Sequence, residues 1–489
     1  MRSSRLVSLL LAMAMPVQLV SAQTPAPAEN HSVEERLQAI EDKLQQLEKR
    51  VDAATQTTAA APASQEGEAA PGDPLETLDQ KIRILERNRE LDQEAAAAKA
   101  KETPVISAGT DGFSISSADK KYRLKVAGYA QADGRFFYDD PASSGLIDTF
   151  TVRRARLKFD GTVGKYVDFR IAPEFGNGSV SLYDAYGDLK FAPYAVFRGG
   201  KFKGPVGLEE LAEDTDLTFI ERSLVSDIIP NRDLGYQVYG DLGGRFTYQA
   251  AIVNGAPDGT NFTDADNNKA KEVDGRVFFT PFAKTGAAAV RGLGFGLGVT
   301  SGRAGSLPSY KTTAGQQTFF NYVGTATAAG DRVRYSPQFY YYNGPFGVLG
   351  EYVEEFHVVS NAGVKHEFNN RAWQVTGSWV ITGDKKSYRS VTPKRKLGEY
   401  KLVPTTGAWE IAGRYTVLNV DPNAFTLGYA SATTSAQNAH AWGVALNWYL
   451  NKNVKLAANY EQTDFDKGAA AGTDHRTEKT FLQRVQFVF

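Results

Sequence analysis

The chain has 489 residues, no cysteine, 46 glycines, 23 tyrosines, 28 phenylalanines, and 55 basic side chains against 56 acidic ones. The missing cysteines exclude a disulfide framework, a thiolate metal site and a cysteine nucleophile. Beyond the N-terminus no run of about 18 apolar residues occurs, which excludes helical membrane spans, and a net charge of -1 without a basic tract excludes nucleic acid as a natural partner.

In chain order, Arg2 and Arg5 precede an apolar run from Leu6 to Val20, and Val20-Ser21-Ala22 supplies the small residues of a cleavage site. Residues 1–22 therefore read as a secretory signal peptide. Residues 31–102 read as an α-helical coiled coil with a linker. Val33, Leu37, Ile40, Leu44, Leu47 and Val51 alternate spacings of four and three, which makes an a/d seam. Leu75, Leu78, Ile82 and Leu85 continue it after an Ala/Thr/Pro/Gly-rich stretch over 52–74. Nothing nearby offers an apolar partner, so the implied partner is another copy of the chain. Residues 1–102 carry a net charge of -5 and residues 103–489 carry +4.

From residue 111 to 489 a period of two takes over. Trp442, Val444, Leu446, Trp448 and Leu450 share one face, against Gly443, Ala445, Asn447 and Tyr449 on the other. Val333, Tyr335, Phe339 and Tyr341 likewise oppose Arg332, Arg334, Gln338 and Tyr340. The runs approach ten residues, and the polar face holds Arg, Lys and Glu that a soluble core would not tolerate. The pattern predicts an all-β fold, a transmembrane antiparallel β-barrel of about 16 strands preceded by the coiled-coil segment. The candidate strands run from 122–133 and 150–160 to 454–463 and 480–489. The last one carries Phe481, Val485, Phe487 and Phe489 on one face, and such a terminal strand resembles the signal by which outer-membrane barrels are recognised for insertion. A barrel of this size leaves an aqueous lumen.

Within Val152–Phe159, alternation puts Arg154, Arg156 and Lys158 on the polar face, where they raise the local anion concentration or pair with neighbouring carboxylates. The segments A-Q-A-D-G-R-F and V-R-R-A-R-L-K-F-D-G-T between Tyr122 and Thr162 resemble the opening strands of the phosphate-selective porin O and P family. G-K-F-K-G-P-V-G-L-E-E-L (Gly200 to Leu211), F-I-E-R-S-L (Phe219 to Leu224), G-A-W-E-I-A-G-R-Y (Gly407 to Tyr415) and W-G-V-A-L-N-W-Y (Trp442 to Tyr449) resemble later parts of it. The resemblance implies a trimeric, 16-stranded outer-membrane barrel, with lipid around it and small ionic solutes passing by diffusion.

Carried over residue by residue, the family's arginine pair on the second strand falls on Arg153 and Arg154. Alternation sends Arg153 outward unless a bulge turns it. The family's carboxylate on the fourth strand falls on Asp184, and Arg222 lies inside F-I-E-R-S-L. Two positions depart from the family pattern: Tyr129 stands where phosphate-selective members carry Arg, and Glu210 where they carry Lys. Glu209, Glu210, Glu213, Asp214 and Asp216 lie in a segment from Lys203 to Asp233 that is too long for a turn. Such a segment resembles the loop that folds into a porin lumen. Its five carboxylates are expected to face the cationic wall and set up a transverse field that favours mixed-charge solutes over bare phosphate.

No histidine pair has metal-ligand spacing, no nucleotide or hydrolase motif appears, and neither a cofactor nor an enzymatic activity is expected. Gly292 to Gly298 alternates glycines along a strand, which reads as small-residue packing. The expected function is a porin passing small anionic or mixed-charge solutes, with the N-terminal segment in the periplasm. The alternative is a structural barrel that the coiled coil tethers to the envelope, with transport secondary.

Overall fold

A computed structural model describes residue 49 and residues 74–489, except 139–145, 263–265, 267, 304, 395–406 and 468–475. The leader and, apart from residue 49, the first heptad run lie outside the described residues. The second run falls on helix α1 (Pro74–Glu102), where Leu78, Ile82 and Leu85 are all exposed. Among the described residues no second helix packs against them, so the expected coiled coil is not seen.

The chain then forms β1 (Val105–Gly109), β2 (Gly112–Ser116), β3 (Tyr122–Tyr138), β4 (Thr149–Val163), β5 (Val167–Glu174), β6 (Ser181–Ala192) and β7 (Ala195–Lys203). After a long loop come β8 (Arg232–Leu242), β9 (Phe246–Val253), β10 (Glu272–Phe279) and β11 (Leu293–Arg303). A two-stranded hairpin, β12 (Ser309–Lys311) and β13 (Thr318–Asn321), interrupts the series. The remainder is β14 (Ala326–Asn343), β15 (Phe346–Asn361), β16 (Val364–Val380), β17 (Ala408–Asn419), β18 (Asn438–Tyr449), β19 (Val454–Asp466) and β20 (Glu478–Val488). Each strand from β3 to β11 and from β14 to β20 pairs antiparallel with its neighbour, and β20 pairs with β3 to close a barrel of 16 strands.

Alternation decides which side chains face lipid. Phe150, Val152, Tyr236, Val238, Phe295, Leu297, Trp379, Ile411, Trp442, Val444, Leu446 and Phe487 point outward and are exposed, while sequence neighbours such as Gln237, Ala412, Ala445, Asn447 and Gln486 are buried inside. Stacked aromatic pairs mark the end of this outer face nearest the chain termini: Trp409 on Trp448 at 4.9 Å and Phe346 on Trp379 at 6.0 Å. The terminal Phe489 exchanges both backbone hydrogen bonds with Gly128 at 2.9 Å, and its ring sits where a Cβ on Gly128 would be. The final aromatic thus closes the seam. On β11, Gly296 lies under the Phe278 ring and Gly298 under the Val206 carbonyl, so the alternating glycines serve close packing.

The lumen is partly filled, and the segment from Lys203 to Asp233 folds into it as its resemblance implied. Three segments enter it: loop 204–231, loop 304–325 with its β12–β13 hairpin, and residues 382–394 from the opposite end. Against β15 to β18 the first two build an apolar core inside the barrel, while Val391 of the third packs separately with Val380, Ala408 and Tyr449. Leu224, Val225, Ile228 and Ile229 of the first loop meet Phe319, Phe320 and Tyr310 of the second, over Val353, Phe368, Ala372 and Leu418 of the wall. Every one of these wall residues occupies an inward position that alternation would leave for water. Apolar residues at inward positions attract the loops because burying them against each other removes both from water.

Candidate functional site

Loop 204–231 crosses the lumen and is held at each step by a wall side chain. Its first turn, α2 (Leu208–Leu211), lacks a side-chain cap of its own. The β15 carboxylate of Glu351 supplies one, accepting from the Leu208 and Glu209 amides at 2.6 and 3.1 Å. Further along, Lys455 donates to the Leu217 carbonyl at 2.8 Å, Asn447 to Thr218 at 2.9 Å, Arg484 to Ile220 at 2.8 Å and Arg414 to Glu221 at 2.8 Å. The loop ends in a 3-10 turn, Leu224–Ile228, whose Leu224, Val225 and Ile228 enter the apolar core while Ser226 and Asp227 face the opposite side.

That opposite side is a charged cavity of about 170 Å³, bounded by β4, β6, β8 and the two inserted loops. All the residues singled out from the sequence lie in or beside the network around it. The β3–β4 register slips between Gln131 and Ala132, leaving Arg153 as the extra residue of a β-bulge. The bulge turns it inward, where its Nε donates to Glu221 at 2.6 Å. Arg154 donates to Gln131 at 3.0 Å and lies 3.4 Å from Glu221. Arg156, only 1 % exposed, pairs with Glu174 at 3.0 Å and Asp214 at 2.9 Å. Lys158 pairs with Glu213 at 2.8 Å, and Asp184 with Arg232 at 2.8 Å. The Tyr183 ring lies between the Arg156 and Arg232 guanidiniums, 4.1 and 4.6 Å from them.

Tyr129 and Glu210, the two departures from the family pattern, belong to one connected chain. The Tyr129 hydroxyl donates to Asp214 at 2.8 Å, Asp214 accepts from Arg222 at 2.7 Å, and Arg222 pairs with Glu210 at 3.0 Å. The two residues therefore act together through the loop that lies between them.

The expected transverse field across open water is replaced by contact pairs. Of the five loop carboxylates, Glu210, Glu213 and Asp214 pair with cations as above. Glu209 lies 3.5 Å from Arg414 and accepts from Gln374 at 2.8 Å, and Asp216 accepts from the Ser390 amide at 3.0 Å. Burial alone would raise the Asp214 carboxyl, but Arg154, Arg222 and Arg156 outweigh it and hold it well below the usual carboxylate range. At Glu221, Arg153, Arg154 and Arg484 likewise overcome burial and keep the carboxylate ionised. Asp227 behaves in the opposite way. Among the described residues it accepts only a backbone amide, that of Lys311 at 3.0 Å, and burial pushes its carboxyl up to about 8.

Sequence reasoning missed Glu221, Tyr183, Arg232 and Arg484. Arg484 was within reach, since it alternates with the outward Phe481, Gln483 and Val485. Glu221 sits in F-I-E-R-S-L, but nothing local to that loop says which side chain meets the wall.

The model of the family described as "Phosphate-selective porin O and P" matches residues 125–489. The chain belongs to this family. It is therefore an outer-membrane porin, a channel-forming barrel, and the charged cavity lies in the channel. Porin O of Pseudomonas aeruginosa is 24 % identical over 413 residues, which cover 77 % of this chain and 91 % of that protein. Among solved structures, the outer-membrane channel DcaP of Acinetobacter baumannii gives a TM-score of 0.49 at 10 % identity, covering 78 % of this porin and 99 % of that chain. An anion-selective porin from Comamonas acidovorans gives 0.47 at 13 % identity, covering 75 % and 100 %.

Proposed function

We propose that this porin passes small anionic or mixed-charge solutes by passive diffusion along the β3–β8 side of its lumen. The observation that carries the reading is the lining of the cavity. Arg153, Arg154, Arg232 and Lys311 share it with Glu210, Asp214, Glu221 and Asp227, so a solute passes both signs of charge within one narrow section. The cations make anions welcome, and their pairing with carboxylates keeps any one anion from being held tightly. The family's phosphate-selective description supports the anion preference, while Tyr129 and Glu210 support a weaker grip on phosphate than a cation at each position would give.

Reversal potentials across planar bilayers in asymmetric KCl test the reading. Chloride preference is expected, and potassium preference would remove the anion assignment. The homotrimer and the periplasmic coiled coil belong to the same proposal. Deleting residues 31–102 and measuring trimer mobility and conductance separates them from the tethering alternative, in which the channel survives and envelope attachment fails.

A further inference from the structure

Glu221 is surrounded as a bound anion would be. Its Oε1 lies 2.6 Å from Arg153 Nε and 3.7 Å from Arg484, and its Oε2 lies 3.2 Å from a second Arg153 nitrogen and 3.4 Å from Arg154. Three guanidiniums from β4 and β20, the strands on either side of β3, converge on one carboxylate that is 3 % exposed and borders the cavity. β20 and β17 fix the backbone beside it, because Arg484 also holds the Ile220 carbonyl and Arg414 the Glu221 carbonyl, both at 2.8 Å. The side chain is thus delivered to the cluster by its own loop and needs no solute to bring it there.

The three arginines differ in what else they hold. Arg484 is satisfied by a two-pronged pair with Asp133 at 2.7 Å, and Arg154 by Gln131 with Asp214 at 3.8 Å. Among the described residues Arg153, the bulge residue, gives a forked pair of hydrogen bonds to Glu221 alone, one from Nε and one from a terminal nitrogen. Forked guanidinium groups of this kind match any planar or tetrahedral oxyanion, so the position would accept a phosphate or carboxylate solute if the loop carboxylate were gone.

We infer that Glu221 is a tethered competitor that occupies the oxyanion-binding position of the lumen, so that the porin conducts anions without storing them. This rests on the anion-passing reading above and adds to it the residue that sets affinity. A tethered carboxylate is present at a high effective concentration, and a diffusing oxyanion has to displace it before reaching Arg153. The consequence is weak, non-saturating passage in the native chain and a latent phosphate site beneath it.

The test uses the full chain in planar bilayers, with chloride current measured against added inorganic phosphate and each variant normalised to its own current. The native channel is expected to show no saturating block, and a saturating block in the low millimolar range would by itself overturn the inference. E221Q keeps the shape and the loop carbonyl contacts but removes the charge. It is expected to bring in a saturating block, half-complete at a phosphate concentration at least about tenfold below the highest one the native channel tolerates without saturating, the size of one charge-assisted hydrogen bond. E221D retains the charge and should block like the native channel, and R153Q/E221Q should lose the gain. Unchanged block in folded E221Q, or an equal gain in E221D, would overturn the inference. Absence of any native channel current would instead defeat the porin reading beneath it.

Discussion

The two halves of the lumen are filled on different physical principles. On the β15–β18 side, inward Val353, Phe368, Ala372 and Leu418 gather the apolar residues of both inserted loops into a dry core. On the β3–β8 side, inward Arg154, Arg156 and Lys158 meet loop carboxylates, Asp184 pairs with Arg232 across the wall, and a polar cavity is left. The same loop serves both, since consecutive residues of the 3-10 turn at 224–228 look in opposite directions. The contrast teaches that an inserted porin loop is positioned from behind by hydrophobic burial, which is not directional, and from the front by ion pairs, which fix register and chemistry. Removing the backing should free the loops, whereas removing a front contact should change selectivity.

The largest effect is expected from attacking the backing. Phe320 is fully buried, stacked on Tyr310 with ring centres 5.3 Å apart. F320D removes packing of the class worth about 3–5 kcal/mol and would bury an unpaired charge. Loop 304–325 should leave the wall, and single-channel conductance should rise at least about twofold while the barrel stays folded by heat-modifiable gel mobility. Unchanged conductance would mean that the apolar core does not position the loop.

A smaller effect is expected at the front edge of the other loop. E351A leaves the Leu208 and Glu209 amides without their acceptor, a loss of about 1–3 kcal/mol for buried donors. Increased current noise, with conductance raised less than in F320D, is the expected recording. A larger rise than in F320D would reverse the order of the two anchors.

The smallest effect is electrostatic and involves no rearrangement. Asp227 is neutral below about 8 and charged above it, so raising the pH adds one negative charge to the cavity beside Lys311 and Asp258. Because the folded value lies above the ordinary one, ionisation is disfavoured in the folded loop, and the loop is held less firmly as pH rises through that range. Anion preference, read from reversal potentials, should fall as the pH is raised past about 8. D227N should abolish that dependence, and its persistence in D227N would assign it to another group.

Much of the fold was legible because a barrel writes itself locally. Each of the sixteen alternating runs, from 122–133 to 480–489, lies on one of the barrel strands β3 to β11 and β14 to β20. The extensions of β14, β15 and β16 toward the loops were not read, since Ala326 to Gly330 is nearly all small residues without contrast between faces. The hairpins β1–β2 and β12–β13 were missed for a similar reason: at three to five residues per strand they are too short to establish a period. Within the site, wall residues such as Arg154, Arg156 and Asp184 were readable from alternation. Their loop partners were legible only as a group that included Asp214; the individual pairings, and Glu221 altogether, were not, because they depend on a loop path set by packing on the far side of the barrel. The inward turn of Arg153 depended on a bulge that spacing could allow but not locate.

One turn of loop 204–231 separates a dry half of the lumen from the half proposed to conduct. Native cysteines are absent from the chain, so single cysteines can be placed without background. Ser226 borders the cavity, while the adjacent Val225 is 1 % exposed in the apolar core. Recording single-channel current while adding a charged methanethiosulfonate reagent to S226C and to V225C compares the two sides directly. A stepwise fall in current is expected for S226C and no response from V225C. Equal block of both, or block of V225C alone, would contradict it.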